Sequence, residues 1–158
     1  MHRYEGVESH TIVEAHPDVY KHMLDSGWDK KPGVRILFGK WQSVLAHDSR
    51  QYDGIFFDTY SEHYDHMRDF HALLPRLLRP QGLYSFFNGL APRCQFFHTV
   101  YCKIVADDLR ALGLETQYMA LPVDVGRKAQ WDGHWQGVRR RYWFQREYHL
   151  PIVYRSDA

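Results

Sequence analysis

The sequence has little cysteine, because Cys94 and Cys102 are the only two among 158 residues. They lie in a stretch with a helical pattern, where eight positions correspond to roughly 12 Å along the helix axis. That separation is too large for a disulfide. We therefore expect two reduced thiols, which is usual for proteins inside the cell.

Long hydrophobic runs are also absent. No apolar segment approaches the roughly 20 residues that a membrane-spanning helix needs, and the N-terminus lacks the apolar segment of a signal peptide. The sequence therefore predicts a protein without a membrane partner, located in the cytoplasm, the nucleus or both.

Neither sign of charge dominates. The formal net charge is +1 at pH 7, with 20 Lys and Arg against 19 Asp and Glu, whereas a nucleic-acid-binding domain usually shows a clear positive excess. One basic cluster, Arg139–Arg141, stands among aromatic residues. We interpret this cluster as the solvent-exposed start of a strand rather than as a binding site for RNA or an acidic protein surface, so we expect no nucleic-acid partner.

Strand and helix patterns alternate over the first two thirds of the chain, which is typical of βαβ units and a mostly parallel sheet. Strands are predicted at residues 10–14, 33–38, 52–58 and 83–87, and helices at 17–26, 62–78 and 95–112. Three further strands are predicted at 116–123, 142–144 and 150–154, the closing ones antiparallel.

Two carboxylates stand at the ends of predicted strands. The segment before Asp58 is short and apolar, which is typical of a parallel strand buried on both faces, and Glu14 ends the first predicted strand. In open α/β sheets, ligands bind outside the carboxyl ends of the strands. We therefore expect both acids at a ligand-binding rim, with a helix-capping role as the alternative for Glu14.

Three histidines, His63, His66 and His71, share a predicted helix with Asp65 and Asp69. His63 and His66 could place two ligands on one helix face, but no third ligand is placed with them. We expect a solvent-facing helix here and no bound metal. The sequence also contains no Gly-x-Ser-x-Gly segment, so nothing favours hydrolase chemistry.

Several segments in chain order resemble class I S-adenosylmethionine-dependent methyltransferases. They are Glu14-Ala15-His16-Pro17, Gly39-Lys40-Trp41, Phe57-Asp58-Thr59-Tyr60, Phe86-Phe87-Asn88-Gly89 and Gly137–Trp143. The sequence is most similar to fungal type IV protein arginine methyltransferases, which are relatives of guanidinoacetate methyltransferase, from about His10 to Tyr154. The resemblance implies a Rossmann-like α/β fold, mostly parallel with antiparallel C-terminal strands, and S-adenosyl-L-methionine as the cofactor.

The resemblance also implies roles for single residues. Glu14, with Ala15 beside it, would hold the ribose hydroxyls of the cofactor, and Lys40 and Trp41 would cover its adenine, although a core position is the alternative for Trp41. Asp58 would be the catalytic residue, with its carboxylate binding the guanidino group of the methyl acceptor, and it would also contact the cofactor.

Thr59, Tyr60 and Asn88 would line the same substrate pocket, with a purely structural role as the alternative for each. The implied acceptor is the internal δ nitrogen of an arginine in a ribosomal protein. Two alternatives stay open: methylation of a small guanidino compound such as guanidinoacetate, and a non-catalytic truncated remnant that acts as a binding module.

The sequence departs from the family pattern before His10. Only nine residues precede it, and they contain neither a strand pattern nor a Gly-x-Gly turn. We therefore expect residues 1–158 to be a single, incomplete methyltransferase domain that lacks the first strand. By resemblance, that strand would lie between the strands ending at Glu14 and Asp58, so both should have an unpaired edge.

Overall fold

The computed structural model describes residues 6–59, 63–123 and 143–155. The chain divides into two units, Met1–Ser49 and Arg50–Ala158. Tyr60, the cluster Arg139–Arg141 and the predicted start of a strand at Tyr142 lie outside the described residues.

The smaller unit is a βαβ arrangement. Its elements are β1 (His10–Glu14), α1 (Pro17–Asp25), β2 (Val34–Phe38), α2 (Trp41–Val44) and a 3-10 turn at Leu45–His47. β1 and β2 pair in parallel, with Glu14 opposite Phe38. Helix α1 begins with Pro17, whose missing N–H costs nothing in the first turn. These bounds confirm the predicted strands and helix.

The larger unit carries the main sheet. Its elements are β3 (Tyr52–Phe57), α3 (Tyr64–His71), α4 (Leu74–Leu77), β4 (Leu78–Phe86), α5 (Gln95–Arg110), β5 (Leu114–Pro122) and β6 (Glu147–Arg155). The strand order is β3-β4-β6-β5. β3 and β4 are parallel, while β6 is antiparallel to both β4 and β5. The predicted combination of parallel pairs and antiparallel C-terminal strands is therefore confirmed.

The core of this unit lies on one face of the sheet. Tyr84 and Phe86 of β4 are almost completely buried there. Phe70 of α3 packs against this face, with its ring 4.4 Å from that of Phe57 and 5.9 Å from that of Tyr84 between centroids. Leu109 of α5 is fully buried as well.

The prediction that β3 is buried on both faces is wrong. Phe57 is buried, but Phe56 is 62% exposed, and Leu83, which lies opposite Gly54, is 52% exposed. Successive side chains of a strand point to opposite faces. The described part of this unit covers the face of Phe57 and leaves the other face of β3 open.

The single helix predicted at residues 62–78 is also wrong, because the structure breaks it into α3 and α4. Pro75 explains the break, since its ring would clash with the carbonyl of His71 and it has no N–H to donate. β4 then begins at Leu78 rather than Leu83 and is irregular at first, with Tyr52 opposite Leu78 but Gly54 opposite Leu83.

Two more predictions need correction. His71 was predicted on a solvent-facing helix, but it is 1% exposed, because α3 turns one side toward the aromatic core. Trp143 and Phe144, predicted as strand residues, precede β6 without strand structure. The backbone N–H of Phe144 instead donates to the carbonyl of Pro92, at 3.1 Å.

Both strands next to the predicted gap have an open edge. Among the described strands, β1 pairs only with β2, and β3 pairs only with β4. Within the same residues, no helix combines the length and apolar character needed to cross a bilayer.

Candidate functional site

The candidate substrate site lies at the carboxyl ends of the parallel strands β3 and β4. Phe57 ends β3 opposite Phe86, and the N–H of Phe87 donates to the carbonyl of Phe57, at 2.9 Å. The pairing therefore continues to the point where Asp58 leaves β3. Asn88 follows β4 by two residues. The structure thus brings Asp58, Thr59 and Asn88 together at the carboxyl ends of these two strands.

Asp58 is exposed, and no described residue donates a hydrogen bond or forms an ion pair to its carboxylate. The hydroxyl oxygen of the adjacent Thr59 is buried without a hydrogen-bond partner among the described residues. A buried polar atom without a partner is unusual in a folded protein. An unpaired carboxylate beside an unpaired hydroxyl can accept a cationic group with several N–H donors.

Asn88 is 2% exposed, and its hydrogen bonds point into the protein. The side-chain amide donates to the carbonyl of His149, at 2.9 Å, and to the Sγ of Cys102, at 3.4 Å. Its backbone N–H donates to the hydroxyl of Tyr148, at 2.8 Å. Asn88 therefore joins the end of β4 to α5 and β6, which is the structural alternative to a role in substrate binding.

In the smaller unit, Glu14 stands at the carboxyl end of β1. Its Oε1 accepts a hydrogen bond from the N–H of His16, at 2.6 Å, and its backbone carbonyl accepts one from Gly39, at 2.9 Å. The first bond orders the turn into α1, but the helix is capped by His16, whose Nδ1 accepts from the N–H of Asp18, at 3.2 Å. The second holds the loop after β2, which continues into Lys40, beside the end of β1.

The other predicted cofactor residues differ in exposure. Ala15 and Lys40 are exposed, and Lys40 occupies the position before the first turn of α2 without a side-chain capping bond. Trp41 is 8% exposed. Its indole therefore lies mainly in the interior of the molecule, which agrees with the alternative of a core position.

A cleft of about 440 Å³ lies elsewhere in the larger unit, beside α3 and α5. Its polar lining includes Arg68, Asp108 and His71. The Tyr64 hydroxyl donates to Asp108 Oδ2, at 2.5 Å, and the Nε of Arg68 lies 3.2 Å from the same oxygen. Burial and this bond to the carboxylate raise the pKa of Tyr64. None of the site residues predicted from the sequence lines this cleft.

Sequence reasoning missed one cluster of chemically capable side chains. His98 and Cys102 of α5 lie together with His149 of β6, and the candidate ligand atoms all lie within 4.8 Å of one another. The spacing of His98 and Cys102, four residues apart on a predicted helix, was the available signal. Nothing in the sequence indicates that His149 joins them.

Residues 2–130 match the sequence profile of the family described as guanidinoacetate N-methyltransferase. A Yarrowia lipolytica protein named protein arginine N-methyltransferase 2 is 42% identical over 147 residues, covering 90% of this chain and 31% of the relative. A Candida glabrata protein of the same name is 40% identical over 150 residues, covering 92% and 35%. The chain thus spans about a third of the length of these curated relatives.

Solved structures with low sequence identity share the fold. Aeropyrum pernix fibrillarin, solved with bound S-adenosyl-L-methionine, superposes with a TM-score of 0.53 at 16% identity, covering 90% of this chain and 54% of that chain. An SAH-bound Podospora anserina methyltransferase gives a TM-score of 0.54 at 15% identity, covering 94% and 61%. The predicted Rossmann-like methyltransferase fold is therefore confirmed.

Proposed function

Because this chain belongs to the guanidinoacetate N-methyltransferase family, we propose that it is part of an enzyme that methylates a guanidino nitrogen of arginine in a protein. S-adenosyl-L-methionine is the proposed methyl donor. The names of the relatives from Yarrowia lipolytica and Candida glabrata favour a protein-bound arginine as the acceptor.

The observation that carries the proposal is the position of Asp58. Its carboxylate is exposed directly after a parallel strand, on the edge where α/β enzymes bind their ligands. No described residue neutralises its charge. Asp58 can therefore receive a guanidinium group through two parallel N–H···O bonds, the geometry in which carboxylates bind arginine.

The role of Asp58 follows from the chemistry of the acceptor. A guanidinium is protonated at neutral pH, so its nitrogen is a weak nucleophile. A paired carboxylate fixes the orientation of the guanidinium, stabilises the positive charge that develops on the attacking nitrogen, and can accept the proton which that nitrogen loses as the N–C bond forms and the methyl–sulfur bond breaks. The hydroxyl of Thr59 is a further acceptor for the same group. Tyr60 and Asn88 are proposed to complete the pocket, Asn88 by holding the end of β4.

The cofactor, when bound, supplies an electrophilic methyl group on a sulfonium sulfur. We propose that Glu14 and Ala15 hold its ribose and that Lys40 lies over its adenine. One oxygen of Glu14 accepts the N–H of His16, and no described residue donates to the other, so that oxygen fits a ribose hydroxyl. Trp41 fits less well, because little of its indole is exposed.

The proposal extends to the domain, the substrate and the location of the protein. The match of residues 2–130 runs through both units, which favours one methyltransferase domain over the chain. A ribosomal protein is the substrate implied by the resemblance. Both described cysteines are free thiols, as is usual in reducing compartments, and this favours the cytoplasm or the nucleus.

Replacing Asp58 with Asn tests the catalytic proposal. The substitution keeps the shape but removes the charge, and hydrogen bonds to charged groups contribute about 1.5–3 kcal/mol. We expect methylation of arginine peptides, followed by mass spectrometry, to slow by roughly 10- to 100-fold. Asp53→Asn is the matched control, since Asp53 is an exposed acid of the same strand. Equal activity of the two variants would contradict the role of Asp58.

The choice of acceptor and the binding-module alternative have separate tests. Methylation of guanidinoacetate, with no methylation of arginine peptides, would overturn the proposal that the acceptor is an arginine in a protein.

Calorimetric titration with S-adenosylhomocysteine tests the cofactor site. We expect binding that weakens in Glu14→Gln and is unchanged in Glu8→Gln, which alters an exposed acid before β1. A folded chain that binds no S-adenosylhomocysteine favours the non-catalytic binding module.

A further inference from the structure

Three metal-ligating side chains converge in the interior of the larger unit, at a place that the proposed reaction does not use. His98 is completely buried and Cys102 is 8% exposed. They lie one turn apart on α5, with 3.8 Å between His98 Nε2 and Cys102 Sγ. The ring of His149, from β6, stacks on that of His98 with 5.1 Å between centroids.

We propose that His98, Cys102 and His149 bind a zinc ion. The proposal is independent of the methyltransferase assignment. It also departs from the expectation of no metal, which considered only the histidines near α3. Two imidazoles and one thiolate form a ligand set that zinc prefers, whereas calcium and magnesium prefer oxygen ligands.

The distances agree with tetrahedral zinc. Zn–S bonds of about 2.3 Å and Zn–N bonds of about 2.0–2.1 Å place neighbouring ligand atoms roughly 3.5 Å apart. The separation of His98 Nε2 and Cys102 Sγ is 3.8 Å. All three candidate atoms lie within 4.8 Å of one another, so each separation exceeds the tetrahedral value by at most about 1.3 Å. A fourth position remains for water or another ligand.

The hydrogen bonds of the imidazoles favour the same interpretation. His98 Nδ1 lies 2.7 Å from the carbonyl of Leu90. A carbonyl only accepts, so Nδ1 carries the proton and Nε2 presents its lone pair toward Cys102. A backbone carbonyl on the second nitrogen is the usual outer partner of a metal-bound histidine. His98 is therefore fixed in the tautomer that ligation through Nε2 requires.

His149 has a matching arrangement. Its Nδ1 is buried with no hydrogen-bond partner among the described residues, and this is the atom that we assign as the ligand. Its Nε2 lies 3.9 Å from Glu147 Oε2, so a carboxylate is available to orient the opposite side of the ring. A zinc ion would give the buried Nδ1 the partner that it lacks.

The surroundings of Cys102 also suit a metal-bound sulfur. The side-chain amide of Asn88 donates to Sγ, at 3.4 Å, and such an outer hydrogen bond orients a metal-bound ligand. Trp143, which is 6% exposed, packs edge-on against His98 and limits the access of water. Bound zinc would tie α5 to β6 and, through Asn88, to the carboxyl end of β4.

The test uses the whole chain without a histidine tag, after removal of metal with a chelator. Cobalt(II) is the spectroscopic probe, because it occupies zinc sites and absorbs light. We expect one equivalent to bind, with a thiolate-to-cobalt charge-transfer band, and one equivalent of zinc to remove that band. Cys102→Ser should lose the band and His149→Gln should bind more weakly, while the control Cys94→Ser should behave as the wild type.

X-ray absorption of the zinc-loaded wild type decides the case even where a variant fails to fold. We expect one sulfur at about 2.3 Å and nitrogen at about 2.0–2.1 Å. Failure to bind cobalt or zinc stoichiometrically would overturn the proposal and leave the cluster as a hydrogen-bonded part of the core. A zinc shell without sulfur, or a Cys102→Ser variant with an unchanged cobalt spectrum, would also overturn it.

Discussion

Protonation of His71 is expected to limit stability in mild acid. The side chain is 1% exposed, its Nε2 lies 3.1 Å from the Tyr84 hydroxyl, and its Nδ1 is buried without a hydrogen-bond partner among the described residues. Burial lowers its pKa from 6.5 to about 4, although the carboxylate of Asp108 acts in the opposite direction. The folded protein therefore keeps this imidazole neutral at pH values where an unfolded chain would protonate it.

The sign and size of the effect follow from this difference. Below pH 6.5 the unfolded state binds a proton that the folded state does not, so the free energy of unfolding falls as the pH drops toward 4. Each pKa unit corresponds to about 1.4 kcal/mol, which gives a total loss of about 3 kcal/mol from His71. About 2 kcal/mol of this should be lost between pH 7 and pH 5. The total free energy of unfolding of a typical domain is only about 5–15 kcal/mol.

Urea unfolding at pH 7 and pH 5 measures the effect. Other groups also titrate in this range, so the informative quantity is the pH dependence of the wild type minus that of His71→Gln, which cannot bind the proton. His66→Gln, at an exposed position of the same helix, should retain the wild-type dependence. Equal pH dependence in wild type and His71→Gln would refute the reasoning, as would an NMR titration with a pKa near 6.5 for His71.

Four further substitutions test backbone strain, core packing and one surface ion pair. Gly33→Ala should destabilise the smaller unit by more than about 1 kcal/mol, because φ is +75° and the new Cβ would collide with the Glu8 carbonyl. Gly27→Ala, at φ +71° in open space, should cost less when both are compared by thermal unfolding. Leu109→Ala, at a fully buried position, should cost about 2–5 kcal/mol in urea unfolding. Arg79→Ala removes an exposed ion pair and should change the free energy of unfolding by less than about 1 kcal/mol.

Local patterns were sufficient to predict most elements from the sequence. Pro17 at the start of α1 and Gly113 after α5 are strong local signals, and both helices form close to the predicted bounds. The alternation of strand and helix patterns predicted the parallel pairs, and the closing strands were predicted to be antiparallel. The predicted helix at 62–78 failed, although Pro75 stood in the sequence as a signal against it.

Burial and convergence could not be predicted in the same way. An apolar strand is covered on both faces only where other elements supply the cover, and the exposure of Phe56 depends on those elements rather than on its neighbours in sequence. His149 joins His98 and Cys102 through the antiparallel placement of β6, which is a long-range feature. The strand-end position of Asp58 was predictable because it needs only the period of one strand and the polarity of the sheet.

The unpaired edge of β3 has a consequence for how the protein behaves in solution. Among the described strands, β3 pairs only with β4, and an unpaired strand edge presents its N–H and carbonyl groups to any extended polypeptide. The exposed ring of Phe56 adds apolar surface beside that edge. We therefore expect the chain to self-associate as its concentration rises. An added polypeptide strand that pairs with this edge should reduce the self-association.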